Sequence, residues 1–118
     1  MIKVVEDLAK LVVKAAEDKK AEKLVVMDIS NLSVIADYFI ICNGNNERQV
    51  QAIVNEIREQ AHKNGYDVKG IEGINEGRWV LIDLGDVVVH VFHREEREFY
   101  NLERLWSDAN IVSFTEQQ

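Results

Sequence analysis

Two histidines and two aspartates in the last third of the sequence are the residues whose types could do chemistry. His90 and His93 are separated by two residues, and Asp83 and Asp86 come shortly before them. Imidazoles hold transition metals, and paired carboxylates hold magnesium at nucleotidyl-transfer sites. However, residues three apart on a strand point to opposite faces, and the sequence lacks an Asp-x-Asp pair. We therefore predict no metal and no bound cofactor.

Two further segments could support an enzyme. Asn43-Gly44-Asn45 joins a predicted strand to a predicted helix, and free N–H groups at a helix N-terminus can hold an anion such as a phosphate. A single glycine is nevertheless more typical of a tight turn. Cys42 lies within an apolar segment, which is typical of a buried and unreactive thiol. The sequence thus favours a protein that is not an enzyme, with a nucleotidyltransferase-like nucleotide-binding enzyme as the alternative.

The elements that must position these residues follow from hydrophobic periodicity. Apolar residues at helical spacing over 2–21 predict a first helix, and Asn46-Glu47-Arg48-Gln49 has the form of a capping box that opens a second helix ending at Asn64-Gly65. Strands are predicted at 23–28, 38–43, 66–72, 79–84 and 87–92, and a last helix at 95–106. The prediction is one α/β (α+β) domain over residues 1–118 with an irregular tail at about 107–118. Its single mixed sheet of about five strands is flanked by helices in the order α-β-β-α-β-β-β-α.

Gly85-Asp86 is typical of a two-residue hairpin turn, and this turn would set the register of the two strongest strands. One face then carries only aliphatic side chains: Val80, Ile82, Leu84, Val87, Val89 and Val91. The other face carries Trp79, Leu81, Asp83, Val88, His90 and Phe92. The first face must meet the helices, since each exposed aliphatic side chain would cost about 1.5–3 kcal/mol. The second has the composition of a binding surface, although a helix of this chain could equally cover it.

The charge balance limits the kinds of partner. The 118 residues include 21 acidic and 14 basic side chains, for a net charge of −7. Such a surface is repelled by phosphate backbones, so we expect little direct contact with nucleic acid and a basic protein as partner. No apolar stretch reaches the roughly 18 residues that span a bilayer, and Glu6 and Asp7 lie where a signal peptide would be apolar. The single cysteine allows no internal disulfide, and we expect a cytoplasmic location without membrane contact.

Five segments, in order along the chain, carry a family resemblance: DYFII at 37–41, RQV at 48–50, EG at 72–73, WVLIDLGDVVVH at 79–90 and YNLERLW at 100–106. Together they resemble the ribosomal silencing factor family (RsfS, also called Iojap) over essentially the whole domain. The resemblance implies a nucleotidyltransferase-like fold without enzymatic activity. It implies binding to the large ribosomal subunit through its fourteenth protein, which sterically blocks joining of the small subunit and represses translation when nutrients are scarce. It also implies a homodimer in isolation.

The residues that the resemblance implies for partner binding are Trp79, Asp83, Leu84, Asp86, His90, Arg97 and Tyr100, with Phe92 as a further candidate. The hairpin register points Leu84 toward the helices, so only its place beside the turn would bring it to the rim of the surface. A self-associating scaffold that buries the same aromatic residues in its own dimer is a third hypothesis, beside the ribosome-binding protein and the enzyme.

Overall fold

The computed structural model describes residues 2–31, 36–96 and 110–112. Its helices and strands are α1 (Ile2–Asp18), β1 (Glu22–Asp28), β2 (Tyr38–Gly44), α2 (Glu47–Lys63), β3 (Gly70–Glu72), β4 (Trp79–Asp83), β5 (Val87–His93) and β6 (Asn110–Val112). The predicted order of elements is confirmed as far as β5. The predicted helix over 95–106 lies almost entirely outside the described residues.

Residues that predicted the limits of α2 also fix its ends. Asn46 Oδ1 accepts a hydrogen bond from the Gln49 N–H at 2.8 Å, and Gln49 Oε1 accepts one from the Asn45 N–H at 2.7 Å. The predicted capping box is thus present, with its return bond shifted by one residue to Asn45. Gly65, just after the helix, has a φ of +84°, a left-handed conformation that glycine adopts without strain. Local contacts therefore set where α2 begins and ends.

The strands form one mixed sheet in the order β3-β4-β5-β2-β1-β6. β2 and β5 lie side by side at its centre and run parallel, whereas the other neighbouring pairs are antiparallel. The predicted mixed α/β architecture is confirmed. β3 lies at the edge of the sheet, and only residues 70–72 of the predicted 66–72 form a strand.

The sheet has a sixth strand where the sequence predicted an irregular tail. β6 pairs antiparallel with the outer side of β1, with Ile111 opposite Met27. Three residues are too few for an alternating pattern to stand out, and such a strand depends on its neighbour more than on its own β-propensity. The prediction of irregular structure is therefore wrong for these three residues.

α1 and α2 pack on one face of the sheet and build the main core there. The six aliphatic residues of the hairpin belong to this core and are at most 5% exposed: Val80, Ile82, Leu84, Val87, Val89 and Val91. Across the two strands, Trp79 pairs with Phe92, Leu81 with His90, and Asp83 with Val88. The predicted register is confirmed, so the aromatic and polar residues lie on the face opposite α1 and α2.

Candidate partner-binding face

The face opposite α1 and α2 carries most of the residues that the sequence singled out. The hairpin contributes Trp79, Leu81, Asp83, Val88, His90 and Phe92, and their neighbours on β2 and β1 are Phe39, Ile41, Val25 and Met27. We call this surface the aromatic face. Its centre is buried, with Phe92 1% and His90 5% exposed, whereas Trp79, Leu81 and Asp83 on β4 are half-buried. The accessible part of the aromatic face therefore lies mainly along β4, with half-buried Val25 on β1.

The hairpin turn fixes the backbone of both aspartates and orients the side chain of Asp83. Gly85 has a φ of +91°, and the Leu84 N–H donates to the Val87 carbonyl at 3.0 Å, which closes the predicted two-residue turn. Asp83 Oδ1 accepts from the Gly85 N–H at 2.9 Å, so its carboxylate is oriented by the turn. The exposed Asp86 uses its backbone carbonyl to accept two hydrogen bonds from N–H groups at the start of β2. The two acids thus lie at one end of the aromatic face, on a turn that is hydrogen-bonded to the start of β2.

Four rings pack together in the middle of the aromatic face. The Trp79 ring stacks on Phe92 with centroids 5.1 Å apart and an interplanar angle of 28°. Phe39 meets His90 edge-on at 5.0 Å, and His90 lies 6.3 Å from Phe92 with nearly parallel planes. Stacked and edge-on aromatic pairs contribute about 0.5–1.5 kcal/mol each beyond the burial of their area. The half-buried indole therefore rests on a rigid base.

His90 is a neutral imidazole bound to that indole. Trp79 Nε1–H donates to His90 Nδ1 at 3.1 Å, so Nδ1 carries no proton and the hydrogen lies on Nε2. Burial lowers the pKa of His90 to about 4, because the charged form would lose its hydration. Within the described part of the chain, the buried Nε2 has no hydrogen-bond partner. One nitrogen of His90 thus binds the indole, and the other is a buried donor without a partner among the described residues.

Arg78 gathers three glutamates beside Trp79, a set of contacts that the sequence did not predict. Its guanidinium donates to Glu96 Oε2 at 2.7 and 3.0 Å and lies 3.3 Å from Glu95 and 3.6 Å from Glu47. These contacts, chiefly the hydrogen bond to Glu96, raise the pKa of Arg78. The sequence offers only the opposite charge of these glutamates as a sign of the contact. They lie too far from Arg78 along the chain to form a local pattern with it. The cluster joins the start of α2, the start of β4 and the residues after β5.

Three of the residues expected to bind a partner are accessible on the aromatic face or its turn: Trp79, Asp83 and Asp86. His90 belongs to the same face, but its burial leaves it in contact with Trp79 and the neighbouring rings. Phe92 is also buried, beneath the indole. The structure therefore divides the expected residues on this face into accessible ones and buried ones.

Leu84, Arg97 and Tyr100 do not join this group. Leu84 is 5% exposed and packs in the core beneath α1 and α2, because its position in the hairpin points it to the other face. The rim position considered for it from the sequence does not occur. Arg97 and Tyr100 lie outside the described residues.

The metal, phosphate and thiol sites considered from the sequence are not assembled in residues 2–31, 36–96 and 110–112. No group of three or more His, Cys, Asp and Glu side chains there could hold a metal ion, and Cys42 is buried. A Cβ added at Gly44 would lie 3.1 Å from the Val50 nitrogen, so the close approach of β2 to α2 explains this glycine. Glu47 occupies the first turn of α2, where its carboxylate would repel a phosphate. Neither helix in these ranges is long and apolar enough to cross a membrane.

Comparisons with known proteins agree with this architecture. The family model described as "Ribosomal silencing factor during starvation" (RsfS) matches residues 3–118. The chain is 55% identical over 107 residues to the ribosomal silencing factor RsfS of Bacillus subtilis strain 168, covering 91% of each sequence. A crystal structure from Bacillus halodurans matches with a TM-score of 0.83 at 50% identity, over 92% of this chain and 99% of that one. A second, from Chromobacterium violaceum, matches with a TM-score of 0.86 at 37% identity, over 87% and 86%.

The fold is thus that of a mixed α/β protein of the same class as these crystal structures. The chain belongs to the ribosomal silencing factor family.

Proposed function

We propose that this protein is a non-enzymatic silencing factor that binds the large ribosomal subunit through its fourteenth protein. Bound there, it sterically blocks joining of the small subunit and represses translation when nutrients are limited. Family membership supports a ribosomal target. The observation that carries the proposal is the half-buried Trp79 at the accessible edge of the aromatic face, with Asp83 and Asp86 at the turn beyond it.

Trp79 has the properties of an anchor residue. Tryptophan is enriched among the few interface residues that carry most of the binding free energy, and truncating such a residue costs on the order of 2–4 kcal/mol. The stack on Phe92 supports the indole in the unbound protein. Because an ordered side chain loses little rotamer freedom on docking, this support would raise affinity.

The two aspartates would govern encounter more than final affinity. A basic ribosomal protein would be attracted by the net charge of −7, and the oriented carboxylate of Asp83 and the exposed one of Asp86 would face its lysines or arginines. Charges at the rim of an interface mainly change the association rate and its dependence on salt. Blocking subunit joining then requires no catalysis, only a long residence on a surface that the small subunit needs.

Co-sedimentation with purified large subunits tests the docking face. Trp79→Ala should weaken binding at least about 30-fold, the equivalent of about 2 kcal/mol. Tyr66→Ala is a matched control, since Tyr66 is a half-buried aromatic residue that packs against the core on the other face. Both variants should keep the wild-type circular dichroism spectrum, and a light-scattering assay of subunit joining should lose inhibition only with Trp79→Ala. Equal binding by all three proteins would contradict the proposed face.

A photo-crosslinker placed at position 79 tests the identity of the partner. The proposal predicts that the crosslinked product on large subunits contains the fourteenth protein of that subunit. Crosslinks that go mainly to ribosomal RNA, or to another large-subunit protein, would refute this partner while leaving ribosome binding intact.

We also propose that the free protein is a homodimer, as the family resemblance implies. Sedimentation equilibrium over a dilution series would detect a monomer–dimer exchange. If the dimer buries the aromatic face, Trp79→Ala should shift the exchange toward monomer, and large subunits should compete with dimerisation. If Trp79→Ala dimerises as well as wild type, a different surface holds the dimer. The cytoplasmic location stays a prediction.

A further inference from the structure

The hydrogen bond between Trp79 and His90 joins an accessible side chain to a buried one. The two residues lie on neighbouring strands but are not direct partners, since Trp79 pairs with Phe92 and His90 with Leu81. They are diagonal neighbours, a spacing that only long or aromatic side chains bridge. The indole Nε1–H reaches His90 Nδ1 at 3.1 Å. A buried acceptor is therefore in place for one edge of a half-buried ring.

This acceptor is fixed in space. His90 is 5% exposed, and its ring is packed edge-on by Phe39 at 5.0 Å and lies nearly parallel to Phe92. Stacking of Trp79 on Phe92 sets the plane of the indole, but a stack alone permits either edge of the ring to point inward. A directional hydrogen bond selects the edge that carries the nitrogen. The stack fixes the plane of the indole and the hydrogen bond fixes which edge points inward. Together they define the orientation that the indole presents to a partner.

The other nitrogen of His90 carries a cost that an apolar residue at this position would avoid. Because Nδ1 accepts, the hydrogen lies on Nε2, and that donor is buried without a partner among the described residues. An unsatisfied buried donor destabilises a folded protein, and an apolar side chain of similar size would avoid the penalty. A buried histidine at this position is therefore better explained by what Nδ1 does for Trp79 than by the stability of the sheet.

We propose that His90 is a positioning residue that acts through Trp79, holding the indole in the orientation in which it meets the partner. This rests on the proposed function, and it changes the role expected for His90 from a direct contact to a support. His90→Leu removes the acceptor together with the unsatisfied donor. His90→Asn keeps an acceptor oxygen close to the position of Nδ1 and serves as the conservative variant.

Binding to purified large subunits should separate the two variants. His90→Leu should bind about three- to tenfold more weakly than wild type, which is the range of a net hydrogen bond, whereas His90→Asn should recover much of the loss. His90→Leu should nevertheless melt at the wild-type temperature or above it. In a Trp79→Phe background, which lacks the indole N–H, His90→Leu should cause no further loss. Wild-type binding by His90→Leu, or an equal loss in the Trp79→Phe background, would overturn the proposal.

The indole resonance of Trp79 gives a readout that needs no ribosome. Its ¹⁵N–¹H signal, assigned by its loss in Trp79→Phe, should exchange slowly with solvent in wild type and His90→Asn and rapidly in His90→Leu. Equal exchange rates in all three proteins would overturn the positioning role even if the docking face is correct. Conversely, if Trp79→Ala binds large subunits normally, the docking face and this inference both fail, which distinguishes the two outcomes.

Discussion

Acidification should destabilise this protein through His90, because the folded state keeps that imidazole neutral. The pKa of a histidine in an unfolded chain is about 6.5, whereas burial lowers the pKa of His90 to about 4. Between these values the unfolded chain binds a proton that the folded protein does not. The free energy of unfolding must therefore decrease as the pH falls from about 6.5 to about 4, and His90 contributes fully to stability only above that interval.

The size of this effect follows from the two pKa values. A tenfold difference in proton affinity corresponds to about 1.4 kcal/mol, so the interval from about 6.5 to about 4 amounts to about 3 kcal/mol. A domain of this size has a total free energy of unfolding of about 5–15 kcal/mol, and losing about 3 kcal/mol would be a large share of it. The effect should be visible well before general acid unfolding.

Urea unfolding followed by circular dichroism, between about pH 7 and about pH 4, measures this contribution. Carboxylates also become protonated over part of this range. The quantity to compare is therefore the difference in free energy of unfolding between wild type and His90→Leu at each pH. That difference should change steadily in favour of His90→Leu as the pH falls, by up to about 3 kcal/mol. Parallel pH profiles for the two proteins would refute the reasoning that His90 stays neutral in the folded state.

Three other substitutions have defined outcomes. Gly73→Ala should destabilise the fold by about 1–3 kcal/mol in urea unfolding, because Gly73 has a φ of +85° and an added Cβ would collide with the Trp79 carbonyl oxygen. Asn46→Ala should cost about 1 kcal/mol by removing the cap of α2, and a serine at the same position should restore most of it. Asp86→Lys should slow association with large subunits, most strongly at low salt, in stopped-flow measurements. Asp67→Lys changes the charge equally on an exposed acid after α2, so an equal effect would mean that net charge matters and position does not.

The sequence predicted the hairpin and its two faces because both depend on local rules. A Gly-Asp turn sets the register, and strict alternation then assigns the side chains of 79–84 and 87–92 to the two faces. The inward position of Leu84 followed from the same rule, against what the family resemblance implied. Likewise, the cap at Asn46 and the glycine after α2 predicted the limits of that helix.

What the sequence did not reveal depends on contacts between distant residues. The bond from Trp79 to His90 requires particular rotamers on diagonal positions of two strands, and no spacing rule specifies rotamers. The partners of Arg78 come from α2 and from the residues after β5, so their proximity exists only once the sheet has formed. Similarly, residues 110–112 form a strand because they pair with β1, and that pairing with a distant segment is not encoded in their own sequence.

That last pairing has a consequence for how the molecule behaves in a crowded solution. Along Val26 to Asp28, β1 would otherwise offer bare amide and carbonyl groups in an extended row, which is the kind of border onto which a foreign strand can add. Three residues near the C-terminal end occupy that border. A chain cut before Asn110 would lack β6, and this edge of β1 would be open to the addition of a foreign strand.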